Sequence, residues 1–302
     1  MIRDTRFHCG SHARTAVYPH EVVPREMQSY SGFQVRQLFA ESICPTGGCA
    51  IRARHQINAV LGHYPSAAII PTMSRRGKFV TFEGLDGTGK STQMRKLAEA
   101  LRATGHKVVE TREPGGTATG EKIRRVLLDS ATENLSPLAE MALMFASRAQ
   151  HIAEVIEPAL DHGQIVLCDR FTDSTEAYQG SGRKLGSEAV LKLHRVLCGD
   201  LQPDLTILLD SDPAMSVGRA RRRNRRARHS ASKNAGKRHV DENRFEQQTR
   251  AFFSRVHDGY QAIAAREPQR VVAVDARGTP EQTHRRIMEV VGRKLKLAAR
   301  NA

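Results

Sequence analysis

Residues 84–91 read Gly-Leu-Asp-Gly-Thr-Gly-Lys-Ser and fit the pattern G-x-x-x-x-G-K-[ST] at every fixed position. Glycines allow the backbone to fold tightly around a phosphate, so that successive N–H groups point at its oxygens. Lys90 is expected to reach the β- and γ-phosphates of a nucleotide, and the Ser91 hydroxyl is expected to bind Mg²⁺. The pattern therefore predicts a phosphate-binding loop, with the positive N-terminal end of the following helix directed at the same anion.

The flanking sequence supplies the context that such a loop requires. Residues 78–83, Lys-Phe-Val-Thr-Phe-Glu, alternate in polarity and favour a strand. Residues 90–104 carry apolar side chains at helical spacing, and Gly105 ends the pattern. A glycine-rich turn between a strand and a helix would explain the glycines, but it would not explain Lys90 and Ser91.

Strand and helix patterns alternate from Lys78 onward. Further strands are predicted at 107–111, 164–168, 204–210 and 270–275, and further helices at 117–130, 136–161, 187–199, 212–223, 243–267 and 279–298. Short apolar runs between helical segments are typical of a parallel sheet that is covered on both faces. We therefore predict an α/β fold of the P-loop NTPase type, with a five-stranded parallel sheet and helices on both faces.

The net charge of +15 is concentrated in one part of the chain. Residues 219–238 contain ten Lys or Arg and no acidic residue, whereas residues 1–72 contain seven basic and four acidic residues. A nucleic-acid-binding protein usually spreads its basic charge over one face, so nucleic acid is not the expected partner. Because a guanidinium pairs well with phosphate oxygens, we interpret residues 219–242 as an arginine-rich lid that closes over the transferring phosphate.

The first 72 residues differ from the rest of the chain. They contain no sustained apolar period and no strand–helix alternation, and no segment of the chain offers the ~20 apolar residues of a membrane span. Their acidic residues argue against an organelle transit peptide, and a secretory apolar region is missing. We expect residues 1–72 to be a disordered extension or a start-site artefact, and residues 73–302 to form the functional domain.

The five cysteines form no C-x-x-C pair and no metal-binding spacing. An odd number without such motifs is typical of a reducing compartment. We therefore expect a cytoplasmic protein in which Cys168 and Cys198 are small, buried apolar side chains.

Charged side chains follow the predicted strands, where ligands of open parallel sheets bind. Arg112 follows the second strand within Thr-Arg-Glu-Pro-Gly-Gly-Thr (111–117), and Pro114 is a candidate for a cis peptide bond. A turn alone would also explain the Pro-Gly-Gly sequence.

Asp169 and Arg170 close the third strand, where the carboxylate suits Mg²⁺ and the guanidinium suits a phosphate. A surface Asp–Arg pair is the simpler alternative.

Two further segments carry polar side chains of interest. Residues 173–183 are polar and look flexible, and such a stretch is usually only a loop. Four of its side chains offer hydrogen bonds to a base or sugar: Ser174, Thr175, Tyr178 and Gln179.

The helix predicted at 136–161 carries Arg148 on or near its apolar stripe. An arginine there usually extends to solvent, and the alternative is that it points into an anionic cleft.

Taken together, these motifs closely resemble those of bacterial thymidylate kinases, from about Lys78 to the C-terminus. The resemblance rests on Phe-Glu-Gly-Leu-Asp-Gly-Thr-Gly-Lys-Ser-Thr (82–92), Thr-Arg-Glu-Pro-Gly-Gly-Thr (111–117), Asp-Arg-Phe-x-Asp-Ser-x-x-Ala-Tyr-Gln-Gly (169–180), Pro-Asp-Leu-Thr (203–206) and Asn-Arg-Phe-Glu (243–246). It implies a nucleoside monophosphate kinase that transfers the ATP γ-phosphate to dTMP with Mg²⁺, giving dTDP for dTTP synthesis. It also implies a homodimer.

The resemblance implies a role for each matching residue. ATP would be held by Gly84, Leu85, Asp86, Gly87, Thr88, Gly89, Lys90, Ser91 and Thr92. Mg²⁺ would be bound by Ser91 and Asp169. The acceptor dTMP would be bound by Asp86, Arg112, Pro114, Phe145, Arg148, Arg170, Thr175, Tyr178 and Gln179. The catalytic residues would be Lys90, Arg170 and Asp86 together with lid arginines, for which the candidates are Arg219, Arg221 and Arg223.

The chain departs from the family in three places. Many relatives place a base-stacking aromatic residue four positions before the helix arginine, where this chain has Met144; we favour the next residue, Phe145. The lid is longer and more basic than usual, which leaves the acting arginine open, and residues 1–72 match nothing in the family. Since thymine specificity rests on the resemblance alone, a kinase for another nucleoside monophosphate stays an alternative, and a nucleic-acid-binding P-loop protein a weaker one.

Overall fold

The computed structural model describes residues 76–132, 135–232 and 244–296, without the side chains of 226–232. These residues belong to one compact unit, Pro71–Ala302. The predicted extension 1–72 and the part of the predicted lid from 233 to 242 lie outside the described residues. Within the described ranges, no helix combines the length and the apolar character needed to cross a membrane.

Five parallel strands form the centre of the fold. They are β1 (Phe79–Glu83), β2 (Val108–Arg112), β3 (Ile165–Asp169), β4 (Leu205–Asp210) and β5 (Val271–Asp275). Their order in the sheet is β2-β3-β1-β4-β5, and every neighbouring pair is parallel. The predicted five-stranded parallel sheet is confirmed. This order places β1 between β3 and β4, so the residues that follow these strands meet at one edge of the sheet.

Helices connect the strands on both faces. They are α1 (Lys90–Ala103), α2 (Ala118–Leu128), α3 (Pro137–His151), α4 (Glu157–Asp161), α5 (Thr172–Thr175), α6 (Ser187–Cys198), α7 (Pro213–Ser232), α8 (Arg250–Arg266) and α9 (Pro280–Leu295). π-helical turns at Ile152–Ile156 and Glu176–Gly182 continue α3 and α5. The basic run predicted as a lid is helical up to Ser232, because α7 continues through it. Helix α8 begins at Arg250 rather than at the predicted residue 243, because the Thr249 side chain caps it.

The strands alternate their side chains between two apolar layers. On one face, Phe82 packs in a cluster with Leu97 of α1 and Ile287 of α9. On the other face, Val166 packs in a cluster with Val190 of α6 and residues of α3. All five named side chains are fully buried, and each contributes about 1.5–3 kcal/mol of hydrophobic free energy. Two apolar layers therefore hold the sheet in place and leave its carboxyl edge for the site.

The segment 173–183 is not the flexible loop that its polarity predicted. It forms α5 and the following π-helical turns, and most of its side chains are buried. Buried carboxylates attach it to neighbouring elements: Asp173 accepts hydrogen bonds from Arg270 at 2.7 and 2.9 Å, and Glu176 from Arg266 at 2.6 and 2.8 Å. Both arginines lie far along the chain, so a local pattern does not reveal these pairs.

Candidate active site

The loop between β1 and α1 has the backbone geometry of a phosphate cradle. Gly84 and Gly87 have φ values of 126° and 84°. A Cβ atom on Gly84 would lie 2.5 Å from the Leu209 carbonyl oxygen, and one on Gly87 would lie 2.2 Å from the Ser216 carbonyl oxygen. Only glycine fits both positions. Helix α1 begins directly after the loop, so its N-terminal N–H groups face the same space.

Lys90 is a fixed positive charge at this loop. Its side chain is 6% exposed, and its Nζ atom donates to the carbonyl oxygens of Gly84 and Leu85, both at 3.0 Å. The Asp86 carboxylate lies 3.8 Å from Nζ. Burial, together with the charge of Arg170, lowers the pKa of Lys90. The ammonium is therefore oriented by the loop itself before any anion binds.

Ser91 and Asp169 bring two oxygen donors together beside the loop. The Ser91 hydroxyl, in the first turn of α1, donates to Asp169 Oδ2 at 2.7 Å. Asp169 ends β3, and its Cα atom is registered with that of Phe82 on β1. Hydroxyl and carboxylate oxygens are the ligands that Mg²⁺ prefers. This pair was predicted as the metal site, and the fold places it next to the phosphate loop.

Arg170 lies next to Asp169 with its guanidinium enclosed by four oxygen acceptors. Nη2 donates to Asp86 Oδ1 at 2.8 Å and to the Tyr178 hydroxyl at 3.2 Å. Nη1 donates to the hydroxyls of Ser174 and Tyr260 at 2.9 and 3.1 Å. Although burial alone would raise the pKa of Asp86, the charges of Arg170 and Lys90 hold it well below its usual range. The site therefore presents a fully ionised pair.

A pocket of about 290 Å³ opens at this edge of the sheet. Its lining comes from the loop, from the ends of β2 and β3, and from α2 and α7: Asp86, Gly87, Gly89, Lys90, Ser91, Thr92, Arg112, Glu113, Arg124, Asp169, Arg170 and Arg223. Five of these side chains are cationic and three are carboxylates, which favours an anionic ligand.

Arg148 is not directed to solvent. Its side chain is 2% exposed, and Nε donates to Glu113 Oε2 at 2.7 Å while Nη2 donates to Thr175 Oγ1 at 2.9 Å. Nη1 is buried and has no hydrogen-bond partner among the described residues. Burial alone would raise the pKa of Glu113, but the charge of Arg148 lowers it. One donor of a buried cation is thus left for a further acceptor.

Phe145, which we favoured over Met144 as the residue that stacks on the base, does not expose a ring face in this structure. Its ring is fully buried in the layer between α3 and the sheet, with the Arg148 guanidinium 4.9 Å from its centroid. Met144 is partly exposed and packs against the cluster that contains Tyr178. Gln179 is also internal: its side chain is 1% exposed and donates to Glu140 at 2.8 Å. Sequence spacing could not show that Phe145 and Gln179 are buried, because the rotation of each helix decides which of its side chains point into the interior.

The turn after β2 contains a cis peptide bond between Glu113 and Pro114, the proline that the sequence marks as a candidate for one. Arg112 lines the pocket, is half exposed and pairs with Glu121 at 3.0 Å. Arg124 of α2 donates to the Pro114 carbonyl oxygen at 3.0 Å and also lines the pocket.

The three lid arginines have different surroundings. Arg219 donates to the Gly87 carbonyl oxygen at 2.9 Å, and Arg221 donates to the carbonyl oxygens of Glu246 and Gln248 at 3.0 and 3.2 Å. Arg223 is exposed and is the member of this set that lines the pocket. Because these three side chains leave α7 in different directions, only Arg223 of the three lines the pocket.

Sequence reasoning missed some residues of the site. Arg124 lines the pocket from α2. Tyr260 of α8 contacts Arg170 directly, and Glu83 of β1 accepts a hydrogen bond from Tyr260. A basic residue shortly after a Pro-Gly-Gly turn was a signal for Arg124. Tyr260 lies 90 positions from Arg170 in the chain, so only the tertiary structure brings it to the site.

Comparisons with known proteins agree with this geometry. A family model described as "Thymidylate kinase" matches residues 82–287. Thymidylate kinases from Desulforapulum autotrophicum and Solidesulfovibrio magneticus are each 46% identical to the chain over 217 residues, which is 72% of this chain and 92% and 100% of theirs. The crystal structure of thymidylate kinase from Ehrlichia chaffeensis aligns with a TM-score of 0.55 and 31% identity, covering 72% of this chain and 99% of that one. The region matched by the family model contains strands β2 to β5, the phosphate loop and every residue of the pocket, and the chain belongs to the thymidylate kinase family.

Proposed function

We propose that the protein transfers the γ-phosphate of ATP to dTMP and so produces dTDP and ADP. The main support is that three features lie together in one pocket: the phosphate loop with Lys90, the Ser91–Asp169 oxygen pair, and the Arg170 guanidinium. The first two suit a nucleoside triphosphate, and the third suits a second phosphate close to the first. Family membership supplies the identity of the two nucleotides.

ATP is proposed to bind with its phosphates along residues 84–92. The loop N–H groups and the α1 N-terminus provide donors, and Lys90 provides a charge between the β- and γ-phosphates. Ser91 and Asp169 would hold Mg²⁺, which fits their hard oxygen donors 2.7 Å apart. When bound, Mg²⁺ neutralises charge that develops on the phosphate oxygens.

The acceptor dTMP is proposed to bind on the Arg170 side of the pocket. Its phosphate would take the place of the Asp86 carboxylate at Arg170 Nη2, and Asp86 would then face the sugar. Tyr178 lies beside this position, with its hydroxyl 3.5 Å from Asp86. Deeper in the fold, Thr175 and the Nη1 group of Arg148, which has no hydrogen-bond partner among the described residues, would meet the base.

Transfer itself needs alignment and neutralisation of charge more than covalent chemistry. The attacking group is a phosphate oxygen of dTMP, which is largely ionised near pH 7, so a strong general base is not required. Lys90, Arg170 and Arg223 would shield the two polyanions from each other. Closure of the arginine-rich segment would exclude water and so suppress ATP hydrolysis.

The test is a coupled assay of ADP formation across dTMP, dUMP, CMP, UMP, GMP and AMP. We expect dTMP to give the highest kcat/KM. All of these acceptors share the phosphate that Arg170 would bind, but they differ in the base that Arg148 and Thr175 would contact, and the ribonucleotides also carry a 2′-hydroxyl. Equal or higher kcat/KM with another acceptor would transfer the proposal to that nucleotide. No ADP formation with any acceptor would refute the kinase function.

We also propose a homodimer. Helices α2, α3 and α6 pack side by side and expose large apolar side chains: Val126, Leu138, Val196 and Leu197. Val196 is 77% exposed. Sedimentation velocity should give a dimer that Val196→Asp dissociates; a monomeric wild-type protein would contradict this.

A cytoplasmic location is likewise proposed, supported by the free, buried Cys168 and Cys198.

A further inference from the structure

Glu83 is a buried acid beside the site that the transfer described above does not use. It is the last residue of β1, its side chain is 0% exposed, and it is not among the residues that line the pocket. Its Oε1 atom accepts a hydrogen bond from the Phe171 N–H at 2.7 Å. Its Oε2 atom accepts from the hydroxyls of Ser174 and Tyr260 at 2.5 and 2.9 Å. A buried carboxyl with three donors is costly to build and is typical of a functional site.

The two hydroxyls that contact Glu83 also contact Arg170. Arg170 Nη1 donates to Ser174 Oγ at 2.9 Å and to the Tyr260 hydroxyl oxygen at 3.1 Å. A hydroxyl has one proton and two lone pairs. When Glu83 accepts the proton of each hydroxyl, each hydroxyl must present a lone pair to Arg170. The carboxylate therefore determines the direction in which both hydroxyls accept.

Glu83 also fixes the backbone that carries Arg170. Arg170 has a φ of 76°, a left-handed conformation that a residue with a Cβ adopts only at a cost. The next N–H along the chain, that of Phe171, is the one that Glu83 Oε1 accepts. A single side chain thus holds both the turn under Arg170 and the partners of its guanidinium.

The guanidinium has two sides with different partners. On the Nη1 side, Arg170 contacts two neutral hydroxyls that are anchored on Glu83. On the Nη2 side, it contacts Asp86, whose carboxylate lies at the pocket and is negatively charged, as a phosphate is. An incoming anion can exchange with Asp86 while the Nη1 side stays in place.

We propose that Glu83 is a positioning residue, which acts through Ser174 and Tyr260 to orient Arg170 for the phosphate of the acceptor nucleotide. This inference rests on the proposed function, since it takes Arg170 as the ligand of that phosphate. Burial and the nearby Asp173 carboxylate raise the pKa of Glu83 to about 7, against the opposing effects of Arg170, Ser174 and the Phe171 N–H. Binding is therefore best measured at pH 8, where the ionised form predominates.

Calorimetric titration of Glu83→Gln with dTMP and with thymidine tests the proposal. The amide of the same shape has one acceptor oxygen and one NH2 donor, so it cannot accept from the Phe171 N–H and from both hydroxyls at once. The expected result is dTMP affinity that is weaker on the order of 10-fold, with thymidine affinity and the KM for ATP unchanged. Unchanged dTMP affinity, or an equal loss for thymidine, would overturn the proposal. A wild-type protein that does not bind dTMP would overturn the proposed function itself, and this inference with it.

A double-mutant cycle separates positioning from a general loss of packing. Tyr260→Phe keeps the ring in the core and removes only the hydroxyl, and it should weaken dTMP binding a few-fold. Glu83→Gln should then cost less in the Tyr260→Phe background than in the wild type, because one of the two hydroxyl paths from Glu83 to Arg170 is already broken. Fully additive costs would overturn the proposal. Thr81→Val is the matched control: it removes another buried hydrogen-bonding side chain from β1, bonded to Thr206 at 2.8 Å, and should leave dTMP affinity unchanged.

Discussion

The Arg148–Glu113 pair allows stability and substrate binding to be separated by two substitutions. The two side chains are 2% and 4% exposed, and their closest atoms are 2.7 Å apart. The second oxygen of Glu113 contacts His151 Nδ1 at 2.9 Å. Removal of either charge leaves the other buried without its main partner, which is far more costly than the loss of an exposed pair.

Arg148→Met keeps the length and apolar stem of the side chain and removes the charge. We expect the free energy of unfolding at pH 7 to fall by about 3–5 kcal/mol, since Glu113 stays buried as an uncompensated carboxylate. Arg148→Met combined with Glu113→Gln should recover most of this loss, because neither charge of this pair is then left buried without the other. Urea denaturation with a common slope for all variants is the measurement.

The pH dependence of the single variant has a definite sign. In the wild type, Arg148 lowers the pKa of Glu113, so the stability from this pair is present above the unfolded pKa of the carboxyl and is lost as the pH falls. Without Arg148, burial dominates and raises that pKa. The deficit of Arg148→Met should therefore shrink when the pH is lowered from 7 to 5.

Turnover then isolates the contact with the base. The double variant should fold with near-normal stability but keep a loss in kcat/KM for dTMP on the order of 10- to 100-fold, since its buried donor is gone. A single variant within about 1 kcal/mol of wild type would refute the argument from the buried pair. A double variant with normal use of dTMP would refute the role of Arg148 in binding.

Further predictions concern the phosphates, the metal and the N-terminal residues. Lys90→Ala should lower kcat/KM on the order of 100-fold or more, because a preorganised charge is lost; near-normal turnover in the coupled assay would contradict this. Arg223→Ala should lower kcat on the order of 100-fold, while Arg222→Ala on the same helix should change it by less than about 3-fold, and equal effects would remove Arg223 from the site. Asp169→Asn should raise the Mg²⁺ concentration for half-maximal rate on the order of 10-fold, and a superimposable Mg²⁺ titration would exclude Asp169 as a ligand. Removal of residues 1–72 should leave turnover and Tm unchanged; a drop in either would assign these residues to the functional unit.

The sheet was predictable because its signals are local. Each strand is a short apolar run between helical patterns, and the phosphate loop fixes the first β–α unit. The order of charged residues after the strands also placed Asp169 and Arg170 near the loop. By contrast, the segment 173–183 was predicted wrongly, because its buried carboxylates pair with Arg266 and Arg270, which follow it by about ninety positions.

The choice between neighbouring helix residues was also beyond the sequence. Met144 and Phe145 differ by one position, or about 100° of rotation around the helix. Both are apolar, so pattern favours neither as the exposed one. Packing of α3 against the sheet puts Phe145 in the interior and leaves Met144 partly exposed.

The sequence by itself determined the nucleotide chemistry of this protein. Residues 84–91, the motifs after the strands and the arginine run specify phosphate binding, because glycines, a lysine and a hydroxyl at that spacing have few other uses. Only the tertiary structure decided how Arg170 is held. Glu83, Ser174 and Tyr260 come from three separate elements, and the orientation of a guanidinium depends on distances of about 3 Å that chain spacing does not encode.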